Sequence, residues 1–299
     1  MRILLSGSSG LIGTMFRSHL ESTDHEVVRL VRSKSRLDGD TVLWDSDSDE
    51  VDTSGLENAD VVVHLAGKNI ASGRWTDKQK QEIRDSRVHG TQLLCEALNS
   101  LSNPPKTLVA ASAVGYYGDR GDEVLTEESP PGDGFLSDVC QEWETATQAA
   151  AESGIRVVNL RFAMVLSGKG GALPKMLPPF LIGLGGIVGD GQQYWSWVAA
   201  EDACSAIFHC IQEETLHGPV NCAAPSPVTN HEFTKSLGRV LSRPTIVPLP
   251  AFAARLLLGE MADALLLASA RVHPEKLTGS GFSFTYTDIE SALRSCLRK

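Results

Sequence analysis

Short apolar runs rich in Val, Ile and Leu recur along the chain at residues 3–5, 27–31, 61–65, 107–111 and 157–160. They are too short for helices and lack the polar alternation of half-exposed strands, so they predict strands buried on both faces. Between them, residues 13–21, 78–101 and 139–152 place apolar side chains at helical spacing with few breakers, each stretch long enough for a crossover helix. Strands and helices in alternation define βαβ units. The fold class expected is therefore α/β with a doubly wound parallel sheet of the Rossmann type.

The texture changes after Leu160. Residues 168–191 are crowded with Gly and Pro around an apolar segment at 176–184, which predicts the start of a separate lobe. Trp197-Val198-Ala199-Ala200-Glu201-Asp202 then leads into a helix at 203–211, and residues 219–222 supply a last strand. From about residue 226 the chain adds helices and ends in an aromatic alternation at 281–286, suited to a short strand or a packed loop. The organisation expected is a dinucleotide-binding domain over 1–165, resumed at about 197–225. A smaller, mainly helical C-terminal lobe is drawn from 166–196 and 226–299. The acidic run at 45–52 is most simply a solvated loop.

The first strand runs directly into Gly7-Ser8-Ser9-Gly10-Leu11-Ile12-Gly13, with the first helix behind it. A dinucleotide fingerprint requires that context. Gly7 permits a sharp turn, Gly10 lets the backbone approach a pyrophosphate, and Gly13 lets the helix pack closely on its strand. The helix N-terminus at Leu11 and Ile12 then turns free N–H groups toward the phosphates.

The second strand discriminates between cofactors. An NAD site places an acid near its end to bond the ribose 2′-OH, whereas an NADP site places Arg there to pair with the 2′-phosphate. Here the strand ends Val31-Arg32-Ser33-Lys34 with no Asp or Glu. Arg32 is the candidate phosphate partner and NADP(H) the cofactor expected; a solvated basic loop is the alternative reading of the same residues.

Composition narrows the remaining classes. At 299 residues, 42% hydrophobic and 21% charged, the chain has ordinary globular content. A net charge of -10 supplies no basic field for a polyanion, which argues against a nucleic-acid partner. Cys95, Cys140, Cys204, Cys210, Cys222 and Cys296 show no Cys-x-x-Cys pair and no Cys/His cluster at ligand spacing, so they read as reduced packing residues and no metal is expected. No apolar run reaches the roughly 18 residues that span a bilayer, and residues 1–7 read as a strand rather than a signal segment. The expectation is a cytoplasmic chain, off the membrane, with a small-molecule substrate.

Further motifs carry a resemblance. With the spaced glycines, His64-Leu65-Ala66-Gly67 ending a later strand, and Ser112-Ala113-Val114-Gly115-Tyr116-Tyr117-Gly118, the chain resembles the extended short-chain dehydrogenase/reductases, the nucleotide-sugar epimerase/dehydratase superfamily, over essentially its whole length. Arg74-Trp75, the segment Glu82 to Arg87, Trp143-Glu144, Gly170-Gly171-Ala172 and the segment Trp197 to Asp202 resemble an atypical, cell-division-inhibitor-like subgroup. The segments 271–277 and 281–284 resemble its C-terminal extension. The resemblance implies that Leu65 and Ala66 line the adenosine side, that Glu82 and Arg87 contact cofactor from a helix, and that Val165 lies near the nicotinamide. It also implies a homodimer paired through the helices at 78–101 and 139–152. Without the resemblance, Glu82 and Arg87 are an ordinary polar helix face.

Members of that superfamily place a Tyr four residues before a Lys on one helical turn, beside a Ser or Thr, to exchange a proton while hydride moves to or from nicotinamide. Phe135 stands at the Tyr position, Val139 at the Lys position and Ala113 at the Ser position, with Ser112 adjacent. Phe135 has no proton to give and Val139 no charge, so the epimerase mechanism does not transfer. Tyr116 or Tyr117 is the nearest candidate proton donor, with Ser112 to orient a carbonyl; alternatively Tyr116-Tyr117-Gly118 only closes the pocket. Asp138 and Glu142 read as solvated helix surface, His64 as a satisfied core histidine, and Asp202 as a carboxylate for the N–H groups that open the returning helix.

Two functions remain: an NADP(H)-dependent oxidoreductase of atypical chemistry on a small carbonyl or alcohol, and a non-catalytic NADP(H)-responsive regulatory protein. The cofactor assignment has a direct consequence. Calorimetric titration of Arg32→Ala is expected to show NADPH weakened far more than NADH; equal weakening of the two overturns the 2′-phosphate assignment.

Overall fold

The computed structural model describes residues 1–21 and 23–298. Its first half runs β1 (Arg2–Ser6), α1 (Leu11–Leu20), β2 (Glu26–Val31), β3 (Thr41–Asp45), β4 (Glu50–Val51), α2 (Thr53–Leu56), β5 (Val61–His64), α3 (Asp77–Asp85), α4 (Val88–Asn99), β6 (Thr107–Ala113), β7 (Val124–Leu125), α5 (Phe135–Thr145), α6 (Gln148–Glu152) and β8 (Arg156–Phe162). There follow β9 (Met164–Leu166), α7 (Leu173–Leu181), β10 (Tyr194–Trp195), β11 (Trp197–Ala199), α8 (Ala200–Gln212), β12 (Gly218–Cys222), β13 (Val228–Thr229), α9 (Asn230–Leu241), α10 (Ala251–Leu258), α11 (Glu260–Ala262), β14 (Arg271–Val272), α12 (Glu275–Gly279) and α13 (Ile289–Leu297).

An eight-stranded sheet of order β12-β8-β6-β5-β1-β2-β3-β4 organises the molecule. Its neighbours pair in parallel except at the β3–β4 edge, which is an antiparallel hairpin. Alternate residues of one strand feed two cores. Ile3, Leu5, Val63, Val109 and Val158 pack with Phe16 and Leu20 of α1 and Ile207 of α8, while Leu4, Val62, Leu108 and Val157 pack with Leu94 and Leu98 of α4 and Ala150 of α6. The continuously apolar runs are a direct result, since each residue withdrawn from water contributes roughly 1.5–3 kcal/mol. A third cluster of Leu173, Phe180, Trp195, Trp197, Phe233, Leu237 and Leu293 gathers residues C-terminal to β8. No helix among the described residues is long and apolar enough to cross a membrane.

The architecture differs from the expectation in three places. Residues 41–45 form a strand near the sheet edge, and the acidic run at 45–52 is not simply a loop. It includes the end of β3, a tight turn and β4, and its last residue, Asp52, caps α2 through the Gly55 N–H. The stretch 78–101 is two helices, broken at Ser86 and Arg87. There the Ser86 hydroxyl donates to the Ile83 carbonyl and accepts from the Lys68 N–H, which ties the break to the chain after β5. The stretch 139–152 starts earlier, at Phe135, and breaks before Gln148, where Thr147 Oγ1 turns back onto the Glu144 carbonyl. Of the two forms open to the aromatic alternation at 281–286, the chain takes the packed loop, with Phe282 and Phe284 edge-to-face at 4.8 Å.

Asp202 has a different partner from the one expected. Its carboxylate is buried and accepts the backbone N–H groups of Thr285 and Tyr286, at 2.8 and 2.9 Å, so it clamps the C-terminal segment onto α8 instead of closing its own helix. Asp202→Ala leaves both N–H groups without the carboxylate, at a cost of about 2–4 kcal/mol. Denaturant unfolding is expected to show that loss, and hydrogen exchange should quicken first at Thr285 and Tyr286. Unchanged exchange there would refute the clamp.

Candidate cofactor site and active-site cleft

Strand β1 lies between β2 and β5, so the sheet reverses its build direction at β1 and leaves a crevice beyond the carboxyl ends of β1 and β5. The glycine turn fills the rim of that crevice with bare backbone. Gly7 has φ +67°, and a Cβ on it would lie 2.6 Å from the carbonyl of Leu65. A Cβ on Gly13 would lie 2.2 Å from the Gly7 oxygen, which no side chain can survive. Gly10 opens α1 as its N-cap and offers no side chain to the first turn, which therefore faces the crevice with uncapped N–H groups at Leu11 and Ile12. A cradle closed to Cβ atoms and lined by donors suits a pyrophosphate.

A buried polar chain holds the floor of the crevice. Ser6 Oγ accepts the N–H groups of Leu65 and Ala66 and bonds His64 Nδ1 at 2.7 Å. Having accepted twice, the hydroxyl gives its proton to Nδ1. His64 therefore carries its own proton on Nε2, toward Thr91 Oγ1 at 3.0 Å, and Trp143 Nε1 donates to the same oxygen. His64 is a satisfied core histidine, as expected, and burial pushes its imidazole down to about 4.

The expected cofactor contacts fall around this floor. Arg32 follows β2, exposed and with no ion pair among the described residues, whereas Arg29 and Lys34 beside it pair with Asp38 and Glu50. Arg87 donates to the carbonyls of Lys68 and Ile83 and lies 5.0 Å from the Trp143 ring centroid, under Gly67. Glu82 is ion-paired to Lys68, whose hydrogen bond holds the carboxyl below the usual range. The break between α3 and α4 thus brings Glu82 and Arg87 against the residues that follow β5. Val165 lies in β9, paired with Val198 of β11.

The expected hydroxyl groups are placed elsewhere. Ser112 Oγ donates to Glu144 at 2.6 Å, and the same carboxylate takes a bidentate bond from Arg161, both contacts 2.7 Å. Tyr117 is fully buried. Its hydroxyl accepts from Arg161 Nη1 and stands 2.7 Å from Asn221 Oδ1, and burial pushes the phenol up to about 12. Tyr116 is half-buried with the Arg161 guanidinium 3.5 Å over its ring. It lines a groove of about 580 Å³ with Gln141, Thr145, Gln148, Asn159 and Pro219, a groove that no residue of the glycine turn shares. Ser112 and Tyr117 are thus committed to a buried network, against which Tyr116 stacks. Asp138 is exposed, and Glu142 is ion-paired with Arg84.

At the Tyr position, Phe135 meets Trp75 edge-on at 5.1 Å, and Lys80 Nζ stands 5.2 Å from its centroid. Lys80 also pairs with Glu260 of α11, and Arg74 donates to the carbonyls of Leu256 and Leu257 at the end of α10. Sequence reasoning passed over Lys80 and Lys68, because isolated lysines on a polar helix and loop carry no motif.

A glycine turn at the switch point of a doubly wound parallel sheet defines a dinucleotide-binding α/β protein. The chain belongs to the NAD dependent epimerase/dehydratase family, whose model matches residues 3–223; residues 249–296 match a second one, "Domain of unknown function (DUF1731)". Among relatives, the epimerase family protein Mb2239 of Mycobacterium bovis is 44% identical over 97% of this chain and 96% of its own length. YfhF of Bacillus subtilis is 38% identical over 98% of this chain and 97% of its own. The crystal structure of human epimerase family protein SDR39U1 with NADPH superposes with a TM-score of 0.91 at 32% identity, covering 100% of both chains.

The buried imidazole makes stability depend on pH. Above about 6.5 it is neutral in both the folded and unfolded chain; between about 6.5 and about 4 only the unfolded chain takes up the proton, so stability falls as pH is lowered through that window. His64→Gln is expected to flatten this slope in denaturant midpoints measured across the window. An unchanged slope would show that other groups set it.

Proposed function

We propose that the chain binds NADP(H) and uses it to reduce a small carbonyl compound, or to oxidise the matching alcohol. In this reading Gly7, Gly10, Leu11, Ile12 and Gly13 hold the pyrophosphate, Arg32 the 2′-phosphate and Leu65 and Ala66 the adenosine side. Glu82 and Arg87 contact the cofactor from their helix, and Val165 lies near the nicotinamide. The observation that carries the reading is the glycine cradle, where a Cβ on Gly13 would lie 2.2 Å from the Gly7 oxygen beside an uncapped helix. NADPH in the crystal structure of the human relative supports the choice of dinucleotide.

When bound, the reduced nicotinamide supplies a hydride. The proton for the carbonyl oxygen then has to come from this chain, and Lys80 is the group we assign. Its ammonium lies beside Phe135, and at 27% side-chain exposure it can be reprotonated from solvent. Ser112 and Tyr117 serve the Arg161–Glu144 network as structural partners, and Tyr116 stacks on it. A non-catalytic, NADP(H)-responsive role is favoured by one observation, that Arg74 and Lys80 both tie the sheet domain to the 256–260 segment, so that an event in the crevice is felt in the lobe.

The test follows reduced nicotinamide absorbance against a panel of aldehydes and ketones. Lys80→Met is expected to lower kcat by about 100-fold or more with NADPH affinity retained, and Tyr116→Phe to retain turnover. Tight NADPH binding with no oxidation by any carbonyl would leave the regulatory reading standing; loss of turnover in Tyr116→Phe would return the proton to the tyrosine.

A further inference from the structure

We infer that Lys169 supplies the cation for the cofactor's pyrophosphate, on a loop that the C-terminal helix holds in place; the inference rests on the NADP(H) reading above. The glycine turn has no charged side chain of its own. From Gly7 to Thr14 it offers neutral donors only, against a pyrophosphate carrying two negative charges.

The loop after β9 closes on that turn. A Cβ on Gly170 would lie 3.4 Å from Leu11 Cδ1 and one on Gly171 3.1 Å from Leu11 Cδ2, so both residues lie against the first residue of α1. Gly171 has φ +78°, which bends the chain away again toward α7. Lys169 precedes these contacts. Its backbone N–H is fixed by Ser167 Oγ at 3.1 Å, its side chain is exposed, and it has no ion pair among the described residues. In a chain with 37 acidic and 27 basic side chains, an unpaired lysine on a loop touching the phosphate cradle is placed for an anion brought from outside.

The other side of the loop is built by the C-terminal segment. A Cβ on Gly168 would lie 2.1 Å from the Cys296 carbonyl at the end of α13, and Cys296 Sγ reaches the Leu166 carbonyl at 3.4 Å. Asp202 fixes the chain just before α13 through Thr285 and Tyr286. The region matching the domain of unknown function thus presses residues 167–171 toward the glycine turn, which gives that extension a part in cofactor binding.

The experiment is calorimetric titration of the full chain with NADPH and with NADH, at low and high salt, for wild type, Lys169→Ala, Lys169→Arg and Gly168→Val. Lys169→Ala is expected to weaken both dinucleotides on the order of tenfold, because it acts on the pyrophosphate they share, and to flatten the salt dependence; Lys169→Arg should restore most of the affinity. Gly168→Val should weaken both in the same proportion, and Lys169→Ala added to it should cost little more. The NADPH-to-NADH ratio should stay fixed throughout. Unchanged affinity in Lys169→Ala, or a loss confined to NADPH, overturns the assignment while leaving the cofactor reading intact. A wild type that binds neither dinucleotide overturns both.

Discussion

The site depends on how closely three stretches of backbone meet at the switch point of the sheet. Gly7 approaches the Leu65 carbonyl so nearly that a Cβ would lie 2.6 Å from it, and Gly13 approaches the Gly7 oxygen more nearly still. Parallel neighbours β1 and β5 set this approach, since both strands end at the same level and the helices that follow leave on different faces. Ser6 then locks the meeting point by accepting two N–H groups from the β5 end and donating to His64. Through Thr91 and Trp143 that lock extends into α4 and α5. The glycine cradle is therefore a property of the core.

The second constraint is the buried ion pair of Arg161 and Glu144. Arg161 is 2% exposed, and a guanidinium so far from water needs its carboxylate and every further acceptor it can reach. Ser112 and Tyr117 complete this network, and removing Glu144 would leave the Arg161 charge unpaired, at a cost of about 3–5 kcal/mol. Hydroxyl groups held for that purpose are poor reagents, and burial of the phenol raises its pKa further from neutrality. At the Tyr position of α5, the Phe135 ring meets Trp75 and Lys80 of α3.

Much of this was legible in the sequence wherever local pattern and burial coincide. Central strands such as residues 61–64 are apolar on both faces because both faces meet helices, and the glycine turn announces itself because only glycine fits there. Residues 41–45 begin with Thr41 and end with Asp45 against an acidic turn near the sheet edge, and so did not stand out from the polar loop around them. The break at Ser86 was hidden because nothing local ends the helix; the Lys68 N–H, 18 residues back, does so. Asp202 looked like a cap because it stands in a first helical turn, yet its acceptors' partners lie more than 80 residues away. The surroundings of the tyrosines were hidden for the same reason. Sequence locates Tyr116 and Tyr117 at a strand end, but which way each ring turns is decided by Arg161, 44 residues beyond Tyr117.

Charge shows the same separation between whole-chain and local properties. A net charge of -10 argues against binding that tracks a polyanion, since such binding needs an extended positive field. It places no limit on a site made from a few cations that no carboxylate has claimed. Arg29, Lys34, Lys68 and Lys80 are each neutralised by an acid of this chain, whereas Arg32, Arg87 and Lys169 have no ion pair among the described residues; Arg32 follows β2, Arg87 lies under Gly67, and Lys169 precedes the glycines that pack on Leu11. Pairing elsewhere therefore sharpens the contrast at the crevice. Because Coulomb attraction between exposed groups is screened within about 8–10 Å at physiological salt, the distant acidic surface weakens it little, and the cations nearest the turn decide what the site attracts.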